Sequence, residues 1–286
     1  WTRQGRATTL TASRILVLVN ARASSVLAER GRRVALAAGG GEVLCREGGR
    51  LWALGLFLAA VLRSRPDIVY AIDNAFATVG AALVARALAG SKVIVDTGDA
   101  VAALTRSSGR GGTVGYLAAT LLERAGYGIA RTIVVRGQGL GELIQNRYGR
   151  ASVVIPDAFD PAAAGIREGL AFRKEWGATG STVVVGVLGS ASWSKRLHWC
   201  YGRDVVEAVA RAHRPDLLGV VIARGSGVPH LKRLAERLGV RDQVRFVEPL
   251  EGEALWEQLG ALDVGLSTQT DDDVGRSRTT GKLVQY

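Results

Sequence analysis

Several residue types are missing or scarce in this 286-residue sequence. It has no methionine and only two cysteines, and its longest apolar run is the twelve residues 51–62. Cys45 and Cys200 lie too far apart to suggest a disulfide framework or a metal site, so we expect a reducing compartment, the cytoplasm. Crossing a bilayer takes about 20 apolar residues. The run of twelve is therefore too short to span a bilayer, and it favours a buried helix over the alternative of a helix that dips into a membrane.

The ends of the sequence and its length bear on its organisation. Residue 1 is Trp1, and Tyr286 falls inside a predicted helix, so we expect a piece of a longer protein that lacks both ends. At about 150 residues per domain, the length predicts two domains, the second of them truncated. Hydrophobic residues make up 48% and charged residues 22%, which excludes a disordered or fibrous chain.

The charged residues are divided unevenly between the two halves. Residues 1–156 contain 20 Lys or Arg and 9 Asp or Glu, whereas residues 157–286 contain 17 of each. The net charge of +11 thus belongs to the first half, which predicts an anionic partner for that half alone. The alternative is that these arginines only solvate the surface. No run is dense enough to predict a nucleic-acid-binding arm.

Short β-branched runs alternate with longer helical patterns along the whole chain. We predict strands at residues 15–19, 42–45, 68–71, 93–96, 132–135 and 152–155, and in a second series at 182–188, 217–223, 244–246 and 263–266. We predict helices at residues 75–89, 114–129, 204–212, 229–238 and 252–259. Apolar strands of this kind suit parallel sheets covered on both faces. The fold class is therefore α/β, with two Rossmann-like parallel-sheet domains.

One segment interrupts this alternation. Residues 157–169, DAFDPAAAGIREG, contain a proline and two glycines and coincide with the change in charge balance. We place the domain boundary there, giving domains at residues 1–160 and 161–286. Ligands of open parallel sheets bind beyond the carboxyl ends of the strands, and two such sheets facing each other would form a cleft suited to a substrate.

Two glycine-containing loops of the second half follow buried strands and could bind a phosphate. The first, GSASWSK, begins at Gly189 and supplies the hydroxyl of Ser190 and the charge of Lys195. The second, RGSG, contains Gly225 and Gly227, which could bring backbone N–H groups towards a ligand at the next helix N-terminus. Both patterns are looser than a Walker loop, and glycines at such turns also occur without a ligand.

A third loop, DDDVGRSRTTGK, follows the predicted strand 263–266. It brings Asp271 and two further aspartates before three cations, Arg276, Arg278 and Lys282, and Thr279 or Thr280 could cap the closing helix. Cations beside free helix N–H groups favour an anion, although a solvated loop of mixed charge would have the same composition.

In the first half, Asp99 follows the strand 93–96 and could act as an acid, a base or a hydroxyl acceptor. Asp73 is a weaker case.

A dinucleotide-binding unit is an alternative in the first half. Strand 132–135 leads to Gly137, Gly139 and Gly141, and an acid, Asp157, follows 20 residues after Gly137, a spacing typical of such units. The third glycine of GxGxxG would fall at Glu142, however, where close packing of helix and strand calls for glycine.

Together these loops resemble the nucleotide-sugar glycosyltransferases of family 4, which have the GT-B fold. TIVVRGQGLGELIQNRYGRASVVIPDAFDP resembles the end of that family's first domain, with its linker at residues 155–160. VVVGVLGSASWSK resembles the opening strand and donor-phosphate loop of the second domain, ARGSGVPHLKRLAERLGVRDQVRFVEPL its next stretch, and TTGKLVQY its K(L/I)xEYLA segment. The order and spacing of four degenerate motifs carry the resemblance.

The resemblance implies roles for individual residues. Lys195 matches the family's phosphate-binding lysine, but Ser190 stands where an arginine is usual, so Arg276 or Arg278 would supply that charge. Gln285 stands where a glutamate usually grips the ribose. The residues implied in donor binding are Gly189, Ser190, Lys195, Gly225, Gly227, Arg276, Arg278, Thr280, Gly281, Lys282 and Gln285.

The resemblance also implies an activity and partners. The second domain would bind a UDP- or GDP-linked sugar and the first an acceptor, with transfer that retains the anomeric configuration and uses no metal or other cofactor. Asp99 would lie near the sugar, and Asp271, Asp272 or Asp273 would be the second acid. A basic acceptor domain suits an anionic membrane surface, in polysaccharide or glycolipid biosynthesis, peripheral to the inner face. A sugar-nucleotide epimerase and a non-catalytic binding protein are the alternatives.

Overall fold

The structure is a computed structural model that describes residues 13–109, 111–158, 168–195, 197–279, 281 and 286. The chain divides into two compact units. The first runs to Ala102 and resumes over Val114–Pro156, and the second contains Ala103–Thr113 and the chain from Asp157 onward. Most of the segment that we expect to be a linker, residues 159–167, lies outside the described residues. Within the described part, no helix is long and apolar enough to cross a membrane.

The first unit is a six-stranded parallel sheet with strand order β2-β1-β3-β4-β5-β6. Its strands are β1 (Ile15–Val19), β2 (Glu42–Cys45), β3 (Ile68–Ile72), β4 (Lys92–Thr97), β5 (Thr132–Val135) and β6 (Val153–Val154). Its helices are α1 (Val26–Ala37), α2 (Arg50–Ser64), α3 (Phe76–Ala89), α4 (Val101–Ser108, which continues into the second unit), α5 (Gly112–Ile129) and α6 (Gln138–Tyr148).

Helices cover both faces of this sheet. The chain moves from β1 to β2 in one direction and from β3 to β4 in the other, so right-handed crossovers place α1 and α3 on opposite faces. Val17, Val19 and Tyr70 pack with Ala28 and Ala35 of α1. The central strands are therefore apolar on both faces, which explains their continuous β-branched sequence.

The second unit is a four-stranded parallel sheet with strand order β10-β7-β8-β9. Its strands are β7 (Val183–Ser190), β8 (Leu217–Arg224), β9 (Val244–Val247) and β10 (Val264–Gly265). Its helices are α7 (Leu170–Trp176), α8 (Arg203–Ala212), α9 (Val228–Arg237), α10 (Glu253–Gly260) and α11 (Asp273–Ser277). Val205 and Leu231 pack against one face of the sheet, and Trp176 and Leu259 pack against the other.

The strands predicted from the sequence agree with this architecture, whereas the predicted helices agree with it only in part. All ten predicted strands are present, with ends that shift by at most two residues. The apolar run 51–62 does form a helix, α2, and Phe57 on it is buried, but the prediction of a buried helix fails for its other side, where Leu51, Trp52 and Leu62 are 77%, 70% and 55% exposed. A short helix that was not predicted, α11, begins at Asp273 in the aspartate run, and most of the expected closing helix lies outside the described residues.

A buried ion pair connects distant parts of the first unit. Arg30 on α1 donates its Nε–H to Asp96 Oδ2 at 2.7 Å, and this carboxylate is fully buried and also accepts a hydrogen bond from Tyr70. The remaining guanidinium nitrogens of Arg30 donate to the carbonyl oxygens of Ile155 and Pro156. One side chain thus joins α1, the middle of the sheet and the end of the unit. At least this part of the excess basic charge is structural.

Candidate functional site

The carboxyl edge of the second sheet brings two of the predicted loops together. Ala191, which follows β7, donates its N–H to the carbonyl oxygen of Arg224 at 2.9 Å, and Gly227 donates its N–H to the carbonyl oxygen of Ala191 at 2.7 Å. Trp193 donates its N–H to the hydroxyl of Ser226 at 3.2 Å. The loops after β7 and β8 therefore form one hydrogen-bonded surface.

The glycines of the second loop are required by this packing. A Cβ atom at Gly225 would lie 2.6 Å from the carbonyl group of Ala191, and φ at Gly225 is +143°. A Cβ atom at Gly227 would lie 2.5 Å from Ala191 O and 2.5 Å from Cys200 Sγ. We expected both residues to turn N–H groups towards a ligand, but the N–H of Gly227 is directed to Ala191 instead. Gly227 contributes to the site by allowing the two loops to approach each other closely.

The first loop presents its polar side chains at the surface. Gly189 and Ser190 form the last two residues of β7, and Ser190 Oγ lies 2.9 Å from Ser192 Oγ. Lys195 is exposed at the end of the same loop. The loop therefore offers hydroxyl groups and one ammonium group. Ser190 supplies no positive charge at the position where the resemblance implies an arginine.

In the third loop, charged side chains pair with each other or cap a helix, whereas we predicted that its cations are available to bind an anion. Asp271 and Arg276 are exposed and form an ion pair of 2.7 Å, so that each offsets the other. Asp272 caps α11 by accepting from the N–H groups of Val274 and Gly275, and it also accepts from Ser107 Oγ at 2.7 Å. Burial alone would raise the pKa of Asp272, but these hydrogen bonds together hold it below its ordinary value. The aspartate run is therefore partly structural.

The side chain of Arg278 contacts Tyr201, which follows the first loop in the chain. Its Nη1 atom lies 3.3 Å from Tyr201 Oη, and Tyr201 in turn donates to Gln269 Oε1 at 3.4 Å. Tyr201 also packs edge-on against Trp199. Neither Tyr201 nor Gln269 belongs to a sequence motif from which its position could be predicted. Together they connect the third loop with the segment that follows the first.

The end of the chain is described only in part. Thr280, Lys282 and Gln285, all predicted to bind the donor, lie outside the described residues. A Cβ atom at Gly281 would lie 3.3 Å from Asp157 Oδ2. The Tyr286 hydroxyl accepts from the N–H of Leu188 at 2.8 Å and donates to Leu266 O, so this ring packs at the carboxyl ends of β7 and β10.

A separate polar cluster lies at the carboxyl edge of the first sheet and includes Asp99. Asn20, which follows β1, donates to Asp73 Oδ2 at 3.1 Å, and Thr97 donates to the carbonyl oxygen of Asp99 at 3.0 Å. A Cβ atom at Gly98 would lie 2.5 Å from the guanidinium of Arg136. A larger residue at this position would require the Arg136 side chain to shift away from the end of β4.

The electrostatics of this cluster affect Asp73 most. Burial raises the pKa of Asp73, the hydrogen bond from Asn20 opposes that rise, and the negative charge of Asp99 adds to it. Asp73 also has φ of +74°, a conformation uncommon for any residue other than glycine. Two carboxylates and a guanidinium thus share one edge of the first unit, an arrangement suited to holding hydroxyl groups and a mobile proton.

No group of three or more His, Cys, Asp or Glu side chains that could hold a metal ion occurs in the described parts of the chain. The two cysteines are free thiols. Cys200 is buried against the second loop, and burial raises its thiol pKa to about 11. A thiol of this kind packs as a small apolar group.

Comparison with known proteins places this architecture in a known fold. No protein-family model and no curated protein sequence matches the chain. Among solved structures it is similar to Anabaena HepE in complex with UDP (TM-score 0.61, 15% identity), covering 88% of this chain and 73% of that one.

Two further solved structures are similar. One is sucrose-phosphate synthase from Thermosynechococcus elongatus (TM-score 0.66, 13% identity, covering 88% of this chain and 74% of that one). The other is a UDP-GlcNAc 2-epimerase from Neisseria meningitidis bound to UDP-GlcNAc (TM-score 0.52, 10% identity, covering 88% and 76%). The fold predicted from the sequence is confirmed: this chain has two Rossmann-like parallel-sheet units and the GT-B fold.

Proposed function

We propose that the chain transfers a sugar from a UDP- or GDP-linked donor to an acceptor hydroxyl. The observation that carries this proposal is the surface formed by the loops after β7 and β8, joined at Ala191 to Arg224 and Gly227. Lys195 ends the first of these loops, and Arg278 contacts Tyr201 in the segment that follows it, so we propose that these two cations bind the donor's diphosphate. Similar solved structures bind UDP or UDP-GlcNAc, which supports a nucleotide-linked donor.

In the proposed mechanism, positive charge stabilises the leaving diphosphate. Lys195 and Arg278 would neutralise the charge that develops as the glycosidic bond to phosphate breaks, and preorganised charge of this kind is the main source of acceleration in many enzymes. Asp99, with Asp73 beside it, would hold the acceptor hydroxyl in the first unit. We propose retention of the anomeric configuration and no metal or other cofactor, as the family resemblance implies.

The test measures binding of UDP and GDP by titration calorimetry, together with hydrolysis or transfer of the corresponding donor sugars. We expect Lys195→Gln to weaken nucleoside diphosphate binding about 10- to 100-fold, because a hydrogen bond to a charged group contributes about 1.5–3 kcal/mol. Lys232→Gln is the matched control, since Lys232 is exposed on α9 of the same unit. Equal affinity of the two variants, or turnover by Lys195→Gln at the wild-type rate, would contradict the role of Lys195.

We further propose a lipid-linked acceptor at an anionic membrane surface, with the protein cytoplasmic and peripheral. The first half carries the whole net charge of the sequence. On α5, Val114, Leu117 and Leu121 recur at helical spacing and are 78%, 54% and 67% exposed, and Trp52 on α2 is also exposed. Basic residues with an exposed apolar helix face favour an interfacial location.

A sugar-nucleotide epimerase is a second candidate, favoured by the similarity to the Neisseria meningitidis enzyme. The two activities differ in their need for an acceptor. Epimerisation would consume a UDP-linked sugar and yield its epimer in the absence of any second substrate. Mass-neutral conversion of the donor, detected by chromatography without added acceptor, would favour the epimerase, whereas release of UDP only with an acceptor would favour the transferase.

A further inference from the structure

A second concave site in the second unit is lined by α9, the start of α8, and residues of the first loop and of the segment after it. Its volume is about 280 Å³, close to the lower limit of roughly 300 Å³ for ligand pockets. Its lining comprises two leucines and six residues that could recognise a ligand, namely Trp193, His198, Arg203, His230, Arg233 and Arg237. None of the lining residues is acidic.

Two of the arginines in this cavity have no acidic partner among the residues that the structure describes. Arg203 pairs with Glu207 at 2.7 Å and donates to the carbonyl oxygen of His198. Within the described parts of the chain, Arg233 and Arg237 form no ion pair. They lie four residues apart on the same side of α9, an arrangement of like charges that destabilises a helix. An anion bound between them would remove that repulsion.

A flat aromatic pair adjoins these arginines. The Trp193 and His230 rings stack with centroids 4.0 Å apart and planes at 4°, and Arg233 Nη2 lies 3.2 Å from His230 Nδ1. His198 has φ of +47°, an uncommon conformation held by the hydrogen bond from Arg203. Aromatic rings beside cations suit a small ligand with one anionic group and one ring face of C–H groups, as in a phosphorylated sugar.

We propose that this cavity binds a small sugar phosphate, with the phosphate between Arg233 and Arg237 and the sugar ring against Trp193. The cavity adjoins the carboxyl edge of the sheet where we place the donor, shares Trp193 with the first loop, and needs no nucleotide. Trp193 precedes Lys195 by two residues in the same loop. A ligand in the cavity therefore contacts the segment that we propose binds the donor.

The experiment titrates the wild-type chain with glucose 6-phosphate, inorganic phosphate and glucose, using calorimetry and tryptophan fluorescence. We expect glucose 6-phosphate to bind at least tenfold more tightly than inorganic phosphate, and glucose not to bind. The double variant Arg233→Gln, Arg237→Gln should weaken the binding of glucose 6-phosphate at least tenfold. Arg241→Gln, a change at an exposed arginine outside the cavity, should leave that affinity unchanged. Trp193→Phe should remove the fluorescence change.

Three results would overturn the proposal. They are the absence of glucose 6-phosphate binding at millimolar concentration, equal affinity for inorganic phosphate, and binding that survives in the double variant. UDP affinity is measured on the same samples, so a failure of this site is distinguished from a failure of the proposed function. Circular dichroism of each variant confirms that a loss of binding is not a loss of fold.

Discussion

Arg30 illustrates at the scale of a single residue how a basic side chain can be structural. Its guanidinium is 10% exposed and its partner Asp96 is fully buried, so removing one charge leaves the other buried and unpaired. Such unpaired charges are strongly unfavourable, because burial removes them from water without compensation. A composition count treats Arg30 like any surface arginine, and only the contacts distinguish the two.

We expect Arg30→Ala to lower the free energy of unfolding by about 3 kcal/mol, because breaking a buried ion pair typically costs about 3–5 kcal/mol. Arg33→Ala is the control, since Arg33 forms an exposed pair with Glu29 on the same helix, and an exposed pair contributes under about 1 kcal/mol. Urea denaturation followed by circular dichroism measures both. A loss of stability no larger for Arg30→Ala than for Arg33→Ala would show that the buried pair is dispensable.

At the scale of the element, the loops of the second unit depend on the contact between two turns. Gly227 is buried where Ala191 and Cys200 approach it, so any side chain there must separate the loops. We expect Gly227→Ala to destabilise the protein by about 1–3 kcal/mol, as overpacking does, and to weaken UDP binding. Titration calorimetry and thermal denaturation check the two effects.

Gly180→Ala is the matched control, because a Cβ atom there would have no neighbour within 4 Å. We expect its effect on stability to stay within about 0.5 kcal/mol, as for other surface substitutions. If both alanine variants bind UDP like the wild type, the close approach of the two loops is not needed for the donor site.

The elements also show what the sequence could and could not predict. Buried parallel strands are continuous apolar runs, so the strand pattern predicted both sheets. Helix α1 was not predicted, because its buried face consists of Ala28, Gly31 and Ala35, which give little hydrophobic contrast. In the candidate site, the positions of Lys195 and Asp99 after strands were predictable from the chain order. The cap formed by Asp272 and the link from Arg278 to Tyr201 depend on tertiary contacts, and no local pattern encodes them.

At the scale of the whole molecule, the division of charge between the two halves has a measurable consequence. We expect the chain to bind vesicles of phosphatidylglycerol at low salt and to dissociate at 0.5 M salt, since basic residues near an anionic surface each contribute about 1 kcal/mol and salt screens that attraction. Co-sedimentation with vesicles measures the bound fraction. Vesicles of phosphatidylcholine alone should bind far less.

The apolar part of this interaction is tested by Leu117→Glu with Leu121→Glu on α5, which should reduce binding to phosphatidylglycerol vesicles at least tenfold. Leu36→Glu is the control, because Leu36 is 79% exposed but belongs to α1, on the opposite face of the sheet from α3. Unchanged binding of the double variant, or binding that salt does not weaken, would exclude this surface as the membrane contact.

The hydrogen bond from Arg30 to Pro156 spans 126 residues of chain, and strand β6 follows every other strand of its sheet. During synthesis the ribosome releases residue 30 long before residue 156 emerges. Arg30 can therefore donate to its carbonyl partners only after almost the whole first unit has left the exit tunnel of the ribosome. Folding of that unit on the nascent chain is accordingly a late event, completed only as translation of the second unit is already under way.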